Sequence, residues 1–121
     1  MSTILLADDN QVTRLLLRAQ LESLSTDILE AADGQAALDL ARARHPRVAV
    51  LDFEMPKLNG GEVCAQLKAD PATADIHVVI LTACEEADVQ GYAFAAGAEY
   101  FCTKPWNMGD LRERIAALLA S

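Results

Sequence analysis

The chain alternates short apolar runs with longer segments of helical periodicity, and this alternation constrains its fold more than any other feature. The apolar runs lie near residues 3–7, 27–31, 48–51, 77–81 and 100–103. The helical segments follow them, near residues 11–24, 34–43, 60–69, 86–96 and 108–120. Strands that alternate with helices are typical of βαβ units and a parallel sheet. The predicted order is therefore (βα)5.

Local signals support the helices. Apolar residues one turn apart predict amphipathic helices, one carrying Leu111, Ile115, Leu118 and Leu119 and another carrying Val12, Leu15, Leu16 and Ala19. Asn59 with Glu62 three residues later resembles a capping box, and Asp33 and Asn107 are candidate N-caps. The starts of three helices are thus marked in the sequence.

The strands differ in their exposure pattern. The runs at 3–7, 48–51 and 78–81 are apolar without alternation, as in strands buried on both faces, whereas the run at 27–31 is more polar and fits a sheet edge. An open parallel sheet with helices on both faces binds ligands at the carboxyl ends of its strands, where the strand order reverses. In a flavodoxin-like, doubly wound sheet of order 2-1-3-4-5, that crevice lies between strands one and three.

Polar residues stand where these strands should end. Asp8 and Asp9 follow the first run, Asp52 the third, Thr82 the fourth and Lys104 the fifth. Neighbouring strands lie about 4.8 Å apart, so the carboxylates should repel one another unless a cation neutralises them. Mg²⁺ suits such a site because it takes carboxylate oxygens and keeps open positions. A hydroxyl and an ammonium nearby would bind a tetrahedral anion, which indicates a phosphoryl group on or passing through one carboxylate.

Length and composition favour one compact domain over residues 1–121, with about half of its residues hydrophobic. No apolar stretch approaches the roughly 20 residues of a membrane span, and the N-terminus lacks the pattern of a signal peptide, so a cytoplasmic protein is expected. Since the chain ends at Ser121, directly after the fifth predicted helix, we expect no DNA-binding or catalytic output domain in it.

Charge and cysteine content narrow the class of ligand. With 10 Lys+Arg against 18 Asp+Glu and a formal net charge of -8, direct nucleic-acid binding and membrane attachment are not expected. The cysteines are far apart and outside any metal-ligand pattern, so Cys64, Cys84 and Cys102 are interpreted as reduced thiols. The expected ligands are a cation, a protein or both.

At this point the residues resemble the response-regulator receiver domains of two-component signalling, the CheY-like superfamily. The resemblance spans the chain and rests on five motifs, namely Ile4-Leu5-Leu6-Ala7-Asp8-Asp9, Leu51-Asp52-Phe53-Glu54-Met55-Pro56 with Gly60, Leu81-Thr82-Ala83, Ala96-Gly97-Ala98 and Thr103-Lys104-Pro105. It implies a phospho-acceptor switch, phosphorylated by a sensor histidine kinase or phosphotransfer protein and read by a downstream protein. It also implies no enzymatic activity beyond the domain's own phosphorylation and autodephosphorylation.

The resemblance assigns roles residue by residue. Asp52 would be the phosphoacceptor, a carboxylate nucleophile that forms an acyl phosphate. Mg²⁺, or Mn²⁺ in its place, would be bound by Asp9 and Asp52 directly, by Asp8 directly or through water, and by the backbone carbonyl of Glu54. Thr82 and Lys104 would each hold a phosphoryl oxygen.

The resemblance also implies a switch, and the chain departs from the family pattern in and around it. Thr82 would move toward the phosphoryl group and Phe101 would turn inward, changing the surface formed by helix four, strand five and helix five. The switch aromatic is Phe101 rather than Tyr, so it has no hydroxyl to expose or hide. Glu54 and Cys84 occupy variable positions where side chains influence autodephosphorylation.

Alternatives stay open at this stage. A constitutive binding adaptor with an unused site is one, and a Mg²⁺-dependent phosphohydrolase with an aspartyl-phosphate intermediate is a weaker one, because Glu54 replaces the second Asp of the Asp-x-Asp motif of such enzymes. A phosphorylation-dependent dimer is also open. His45 and His77, which lie away from the expected site, are interpreted as structural.

Overall fold

The computed structural model describes residues 3–24, 27–83, 87–103 and 108–120, and these residues form five strands and five helices in strict alternation. The strands are β1 (Thr3–Ala7), β2 (Asp27–Ala31), β3 (Val48–Asp52), β4 (His77–Thr82) and β5 (Tyr100–Thr103). The helices are α1 (Gln11–Leu21), α2 (Gly34–Arg44), α3 (Gly60–Ala69), α4 (Ala87–Ala95) and α5 (Met108–Leu119). The predicted (βα)5 order is confirmed.

The strands form one parallel sheet in the order β2-β1-β3-β4-β5, as predicted. The polar run that begins at Asp27 is an edge strand, and β1 and β3 lie side by side with Ala7 opposite Leu51. This register brings Asp8, which follows β1, and Asp52, which ends β3, to the same edge of the sheet. A sheet of this order binds ligands at that edge.

Two apolar clusters cover the two faces of the sheet. On one face, residues such as Leu5, Leu51 and Ile80 pack against α2, α3 and α4. On the other, residues such as Leu6, Val50 and Leu81 pack against α1 and α5. Successive residues of a strand point to opposite faces, so the uninterrupted apolar runs are needed to bury both sides.

Side-chain caps begin three of the helices within the described residues. The Asn59 side chain accepts from the amide of Glu62 while the Glu62 carboxylate accepts from the amide of Asn59, which confirms the predicted capping box. Asp33 caps α2 as predicted, and Asn10, which the sequence reasoning had not singled out, caps α1. The predicted cap at Asn107 lies outside the described residues.

The predicted apolar stripe of α1 is wrong. Val12, Leu15 and Leu16 are 65%, 64% and 60% exposed, and the helix ends at Leu21 rather than near residue 24. The inward face instead carries Arg14, Leu17, Arg18 and Leu21, in which the leucines are buried and both arginines contact Glu30 on β2. The two faces have the same spacing, and only the contacts with the neighbouring strand distinguish them. By contrast, the predicted stripe of α5 is buried at Leu111, Ile115 and Leu118.

None of the helices in the described part of the chain is long and apolar enough to cross a membrane.

Candidate functional site

Three carboxylates meet at the carboxyl edge of β1 and β3. Asp8, Asp9 and Asp52 each offer an oxygen, and these oxygens all lie within 4.8 Å of one another. Asp8 and Asp52 are only 1% and 3% exposed, whereas Asp9 is exposed. Two of the three carboxylates are therefore buried, and the cluster is open to water on the side of Asp9.

This arrangement fits a hard divalent cation. Oxygen ligands with room left for water suit Mg²⁺, which is bound by one or two carboxylates more often than by a closed protein cage. The exposed side at Asp9 provides that room. The cluster can hold a metal ion, as the sequence predicted.

Arg14 secures the backbone beneath this cluster. Its Nη1 donates to the carbonyl oxygen of Asp8 at 2.6 Å, and its Nε donates to Glu30 at 3.2 Å. The amide of Asn10 donates to the Asp8 carboxylate at 2.8 Å, and the amide of Asp8 donates to Ala31 on β2. The aspartate that ends β1 is thus held from both α1 and β2.

Two hydrogen-bond donors at the end of β4 bind the side chain of Glu54. Thr82 is fully buried, and its hydroxyl donates to Oε1 of Glu54 at 2.6 Å. The amide of Ala83 donates to the same oxygen at 3.0 Å. Partial burial raises the pKa of the Glu54 carboxyl, but hydrogen bonds, chiefly those from the Thr82 hydroxyl and the Ala83 amide, outweigh that effect, so the pKa lies below its ordinary value of 4.5. The end of β4 therefore binds a negatively charged oxygen.

The loop after β3 is packed tightly against the phosphoacceptor candidate. A Cβ atom at Gly60 would lie 2.7 Å from the carbonyl oxygen of Asp52, so only glycine fits without a shift. The amide of Gly60 donates to the carbonyl of Phe53 at 3.0 Å, and the amide of Gly34 donates to that of Pro56 at 3.2 Å. These contacts hold in place the backbone segment that carries Asp52 and Glu54.

Comparison with known sequences decides the family. The response regulator receiver domain family matches residues 4–116, a range that begins at the second residue of β1 and extends into α5. The chain belongs to the response regulator receiver domain family.

Relatives in two-component signalling match this receiver domain over nearly its whole length. It is 35% identical over 98% of the chain to the DNA-binding dual master transcriptional regulator RpaA of Synechocystis sp., and 35% identical over 96% of the chain to the alkaline phosphatase synthesis transcriptional regulatory protein PhoP of Bacillus subtilis. The matches cover 49% and 48% of those proteins, so the chain spans about half the length of each.

Solved structures show the same fold. The signal receiver domain of a DNA-binding response regulator from Colwellia psychrerythraea is similar with a TM-score of 0.93 and 31% identity, over 100% of both chains. The BeF3-activated DrrB receiver domain is similar with a TM-score of 0.88 and 25% identity, over 100% of this chain and 99% of that one. The flavodoxin-like fold is that of CheY-like receiver domains.

The switch candidates of this receiver domain share one face of the sheet. Phe101 lies opposite Ile80, is half-buried, and packs against the same cluster as Ile80. Thr82 follows Ile80 by two residues, so it points to that face as well. The ring of Phe101 lies 6.2 Å from that of Phe94 on α4, which connects the strand to the helix surface.

The remaining predicted residues divide into three groups. Lys104 and Cys84 lie outside the described residues. His45 ends α2 with φ 47° and contacts Asp75, and His77 contacts Glu99 at the start of β4, so neither histidine lies at the carboxyl edge. The cysteines within the described residues, Cys64 and Cys102, are free thiols.

Sequence reasoning missed two features of the site. It expected the backbone carbonyl of Glu54 to bind the metal and its side chain to influence autodephosphorylation, and both roles stay predictions. It did not predict that this side chain accepts hydrogen bonds from Thr82 and Ala83. It also missed Arg14, for which the available signal is a basic residue one turn into the helix that follows Asp8 and Asp9.

Proposed function

We propose that this receiver domain is a Mg²⁺-dependent switch that cycles between Asp52 and Asp52-phosphate. The observation that carries the proposal is the cluster of Asp8, Asp9 and Asp52 beside the anion-binding end of β4. A cation site together with hydrogen-bond donors for an anion is what the transfer of a phosphoryl group to a carboxylate requires.

In the proposed reaction, a carboxylate oxygen of Asp52 attacks the phosphorus of a phosphohistidine or an acyl phosphate. The new oxygen–phosphorus bond forms as the phosphorus–nitrogen or phosphorus–oxygen bond of the donor breaks, and the leaving group takes that electron pair. Asp52 is held in place by β3 and by the close packing of Gly60, which favours in-line attack. Bound Mg²⁺, or Mn²⁺ in its place, would supply positive charge that offsets the carboxylates and the phosphoryl oxygens.

The chain's own residues then hold the product. The Thr82 hydroxyl and the Ala83 amide would donate to a phosphoryl oxygen, and Lys104 would pair with another. Because Thr82 and Phe101 share a face of the sheet, movement of Thr82 would open space into which the ring of Phe101 can turn. We infer that the surface of α4, β5 and α5 changes with phosphorylation, and that a downstream protein reads it.

The proposed phosphodonor rests on the family. RpaA and PhoP are transcriptional regulators by name, and the resemblance of this chain to receiver domains implies a sensor histidine kinase or a phosphotransfer protein as the donor. We propose the same class of donor here. Beyond its own phosphorylation and autodephosphorylation, we propose no enzymatic turnover.

The test is the intact mass of the protein after incubation with acetyl phosphate and Mg²⁺. A single phosphoryl adduct is expected in the parent, and it should be absent in EDTA and in Asp52→Asn. Equal uptake by Asp52→Asn would refute the assignment of Asp52. If folded parent protein shows neither an adduct nor a Mg²⁺-dependent beryllofluoride complex, the site is unused and the constitutive adaptor replaces the switch.

A further inference from the structure

One side chain at the site binds the donors that the proposed phosphoryl group would need. Oε1 of Glu54 accepts from the Thr82 hydroxyl at 2.6 Å and from the Ala83 amide at 3.0 Å. Both are short enough to be well-formed hydrogen bonds, and each is strengthened by the charge of the carboxylate. A carboxylate of this chain thus occupies a two-donor anion site at the end of β4.

The position of Glu54 in the chain explains how it reaches this site. Glu54 follows Asp52, the last residue of β3, by two positions, and Asp52 lies opposite Leu81 on the neighbouring strand β4. The loop is held close because the amide of Phe53 donates to the carbonyl of Leu81 at 2.7 Å. Backbone hydrogen bonding between the loop and β4 therefore places Glu54 next to Thr82 and Ala83.

Glu54 and a phosphoryl oxygen on Asp52 cannot both use these donors. The Thr82 hydroxyl and the Ala83 amide each have a single hydrogen to donate. Two anions at one position would also repel each other strongly. Binding of either anion to Thr82 and Ala83 must therefore weaken the other.

We propose that Glu54 is an internal competitor for the phosphoryl site, and that it must leave Thr82 and Ala83 before a phosphoryl group on Asp52 can bind there. This inference rests on the proposed phosphorylation of Asp52. Glu54 is a positioning residue in this scheme, because it forms no bond to the transferred group and acts through the donors that it occupies.

The displacement needs no rearrangement of the fold. Glu54 is an exposed residue, so rotation of its side chain returns the carboxylate to water rather than leaving a buried charge without a partner. The competition therefore lowers the affinity of Thr82 and Ala83 for the phosphoryl group but does not prevent that group from binding. The end of β4 keeps an anion in both states, and phosphorylation exchanges one anion for another.

The experiment measures the affinity for beryllofluoride, whose beryllium bonds to a carboxylate oxygen and whose fluorines take the place of phosphoryl oxygens. Parent, Glu54→Ala, Glu54→Gln and Glu113→Ala are titrated at saturating Mg²⁺, and the Ala83 amide signal is followed by NMR. Glu113 is an exposed residue of α5, so its replacement controls for the change in net charge. Urea unfolding of each variant confirms that it is folded.

Glu54→Ala should bind beryllofluoride about tenfold more tightly than the parent, because one charge-assisted interaction no longer has to be broken. Glu54→Gln should fall between them, since its amide oxygen can still accept from both donors without the charge. Glu113→Ala should match the parent. Without beryllofluoride, the Ala83 amide signal should shift in Glu54→Ala and stay in place in Glu113→Ala.

Two results would overturn the inference. If the parent binds beryllofluoride in an Asp52-dependent manner and Glu54→Ala binds no more tightly, the competition is refuted while the phosphorylation switch stands. If neither protein binds beryllofluoride, the proposed function itself fails and the competition fails with it.

Discussion

The prediction that follows most directly from the acidic cluster concerns the stability of the metal-free protein. Asp8, Asp9 and Asp52 offer oxygens within 4.8 Å of one another, and two of these residues are buried. Replacing Asp52 with Asn removes one charge from the cluster and keeps nearly the same shape. We expect Asp52→Asn to be more stable than the parent in EDTA.

The magnitude follows from the separation of the charges. At the 4.8 Å limit, a pair of unit charges repels by about 3.5 kcal/mol at an effective dielectric near 20 and by about 0.9 kcal/mol in bulk water. The buried pair, Asp8 with Asp52, lies nearer the first value, and the pair with exposed Asp9 lies nearer the second. Together the two pairs repel by about 4.4 kcal/mol at this largest separation. Lost hydrogen bonds of Asp52 subtract from it, which leaves an expected gain of about 1–3 kcal/mol.

Urea unfolding in EDTA measures this gain, with Asp39→Asn as the matched control. Asp39 is an exposed residue of α2, so its replacement changes the net charge equally without touching the cluster. Added Mg²⁺ should stabilise the parent more than Asp52→Asn, because binding to the native state raises stability by mass action. The advantage of the variant should then shrink. An Asp52→Asn protein no more stable than the parent in EDTA would refute the argument from repulsion.

Three further predictions follow from individual contacts. Gly60→Ala places a methyl group 2.7 Å from the Asp52 carbonyl oxygen, so it should lower the free energy of unfolding by about 1–3 kcal/mol. It should also slow phosphoryl uptake, measured by intact mass. Unchanged uptake would show that the loop adjusts freely. Although partial burial opposes it, hydrogen bonding holds the pKa of Glu54 below 4.5, so its carboxylate stabilises the fold above that pH and the contribution is lost as pH falls through the lowered value. The difference in urea midpoint between parent and Glu54→Gln should therefore shrink in acid, and a difference that grows would contradict this. Burial raises the pKa of the Cys64 thiol to about 11, so at pH 8 only about one thiol in a thousand is ionised. Mass spectrometry should therefore find Cys64 unlabelled by iodoacetamide until the protein unfolds.

The sheet could be predicted from sequence because its signals are local. Strands buried on both faces must be apolar without interruption, and each such run ends in a polar residue, as at Asp8, Asp52 and Thr82. The parallel arrangement then brings those ends to one edge, so the acidic cluster could be predicted from the sequence alone. The capping box of Asn59 and Glu62 is equally local, since both hydrogen bonds lie within four residues.

The features that the sequence did not predict depend on contacts between segments that are distant in sequence. The rotation of α1 is set by Arg14 and Arg18 reaching Glu30 on a different strand, and the spacing of apolar residues alone favours the wrong face. The engagement of Glu54 with Thr82 spans 28 residues and depends on the close approach of the loop after β3 to the end of β4. A motif identifies Asp52-Phe53-Glu54 but does not show which way the glutamate turns.

The site holds negative charge in two places, one unfavourable and one stabilised by hydrogen bonds, and both bear on how a switch of this kind works. The three aspartates repel one another until a cation joins them. Glu54 bonds to Thr82 and Ala83 although it must be displaced there by the phosphoryl group. The cation and the phosphoryl group would therefore act in sequence, the first relieving repulsion at Asp52 and the second replacing Glu54 at Thr82. Because Thr82 is fully buried on the same face as Phe101, the second exchange is the one that can reach α4. A Glu54→Ala protein would thus separate cation binding from the exchange at Thr82. The cation site would stay unchanged, while Thr82 would lose its bond to Glu54 before any phosphoryl group arrives.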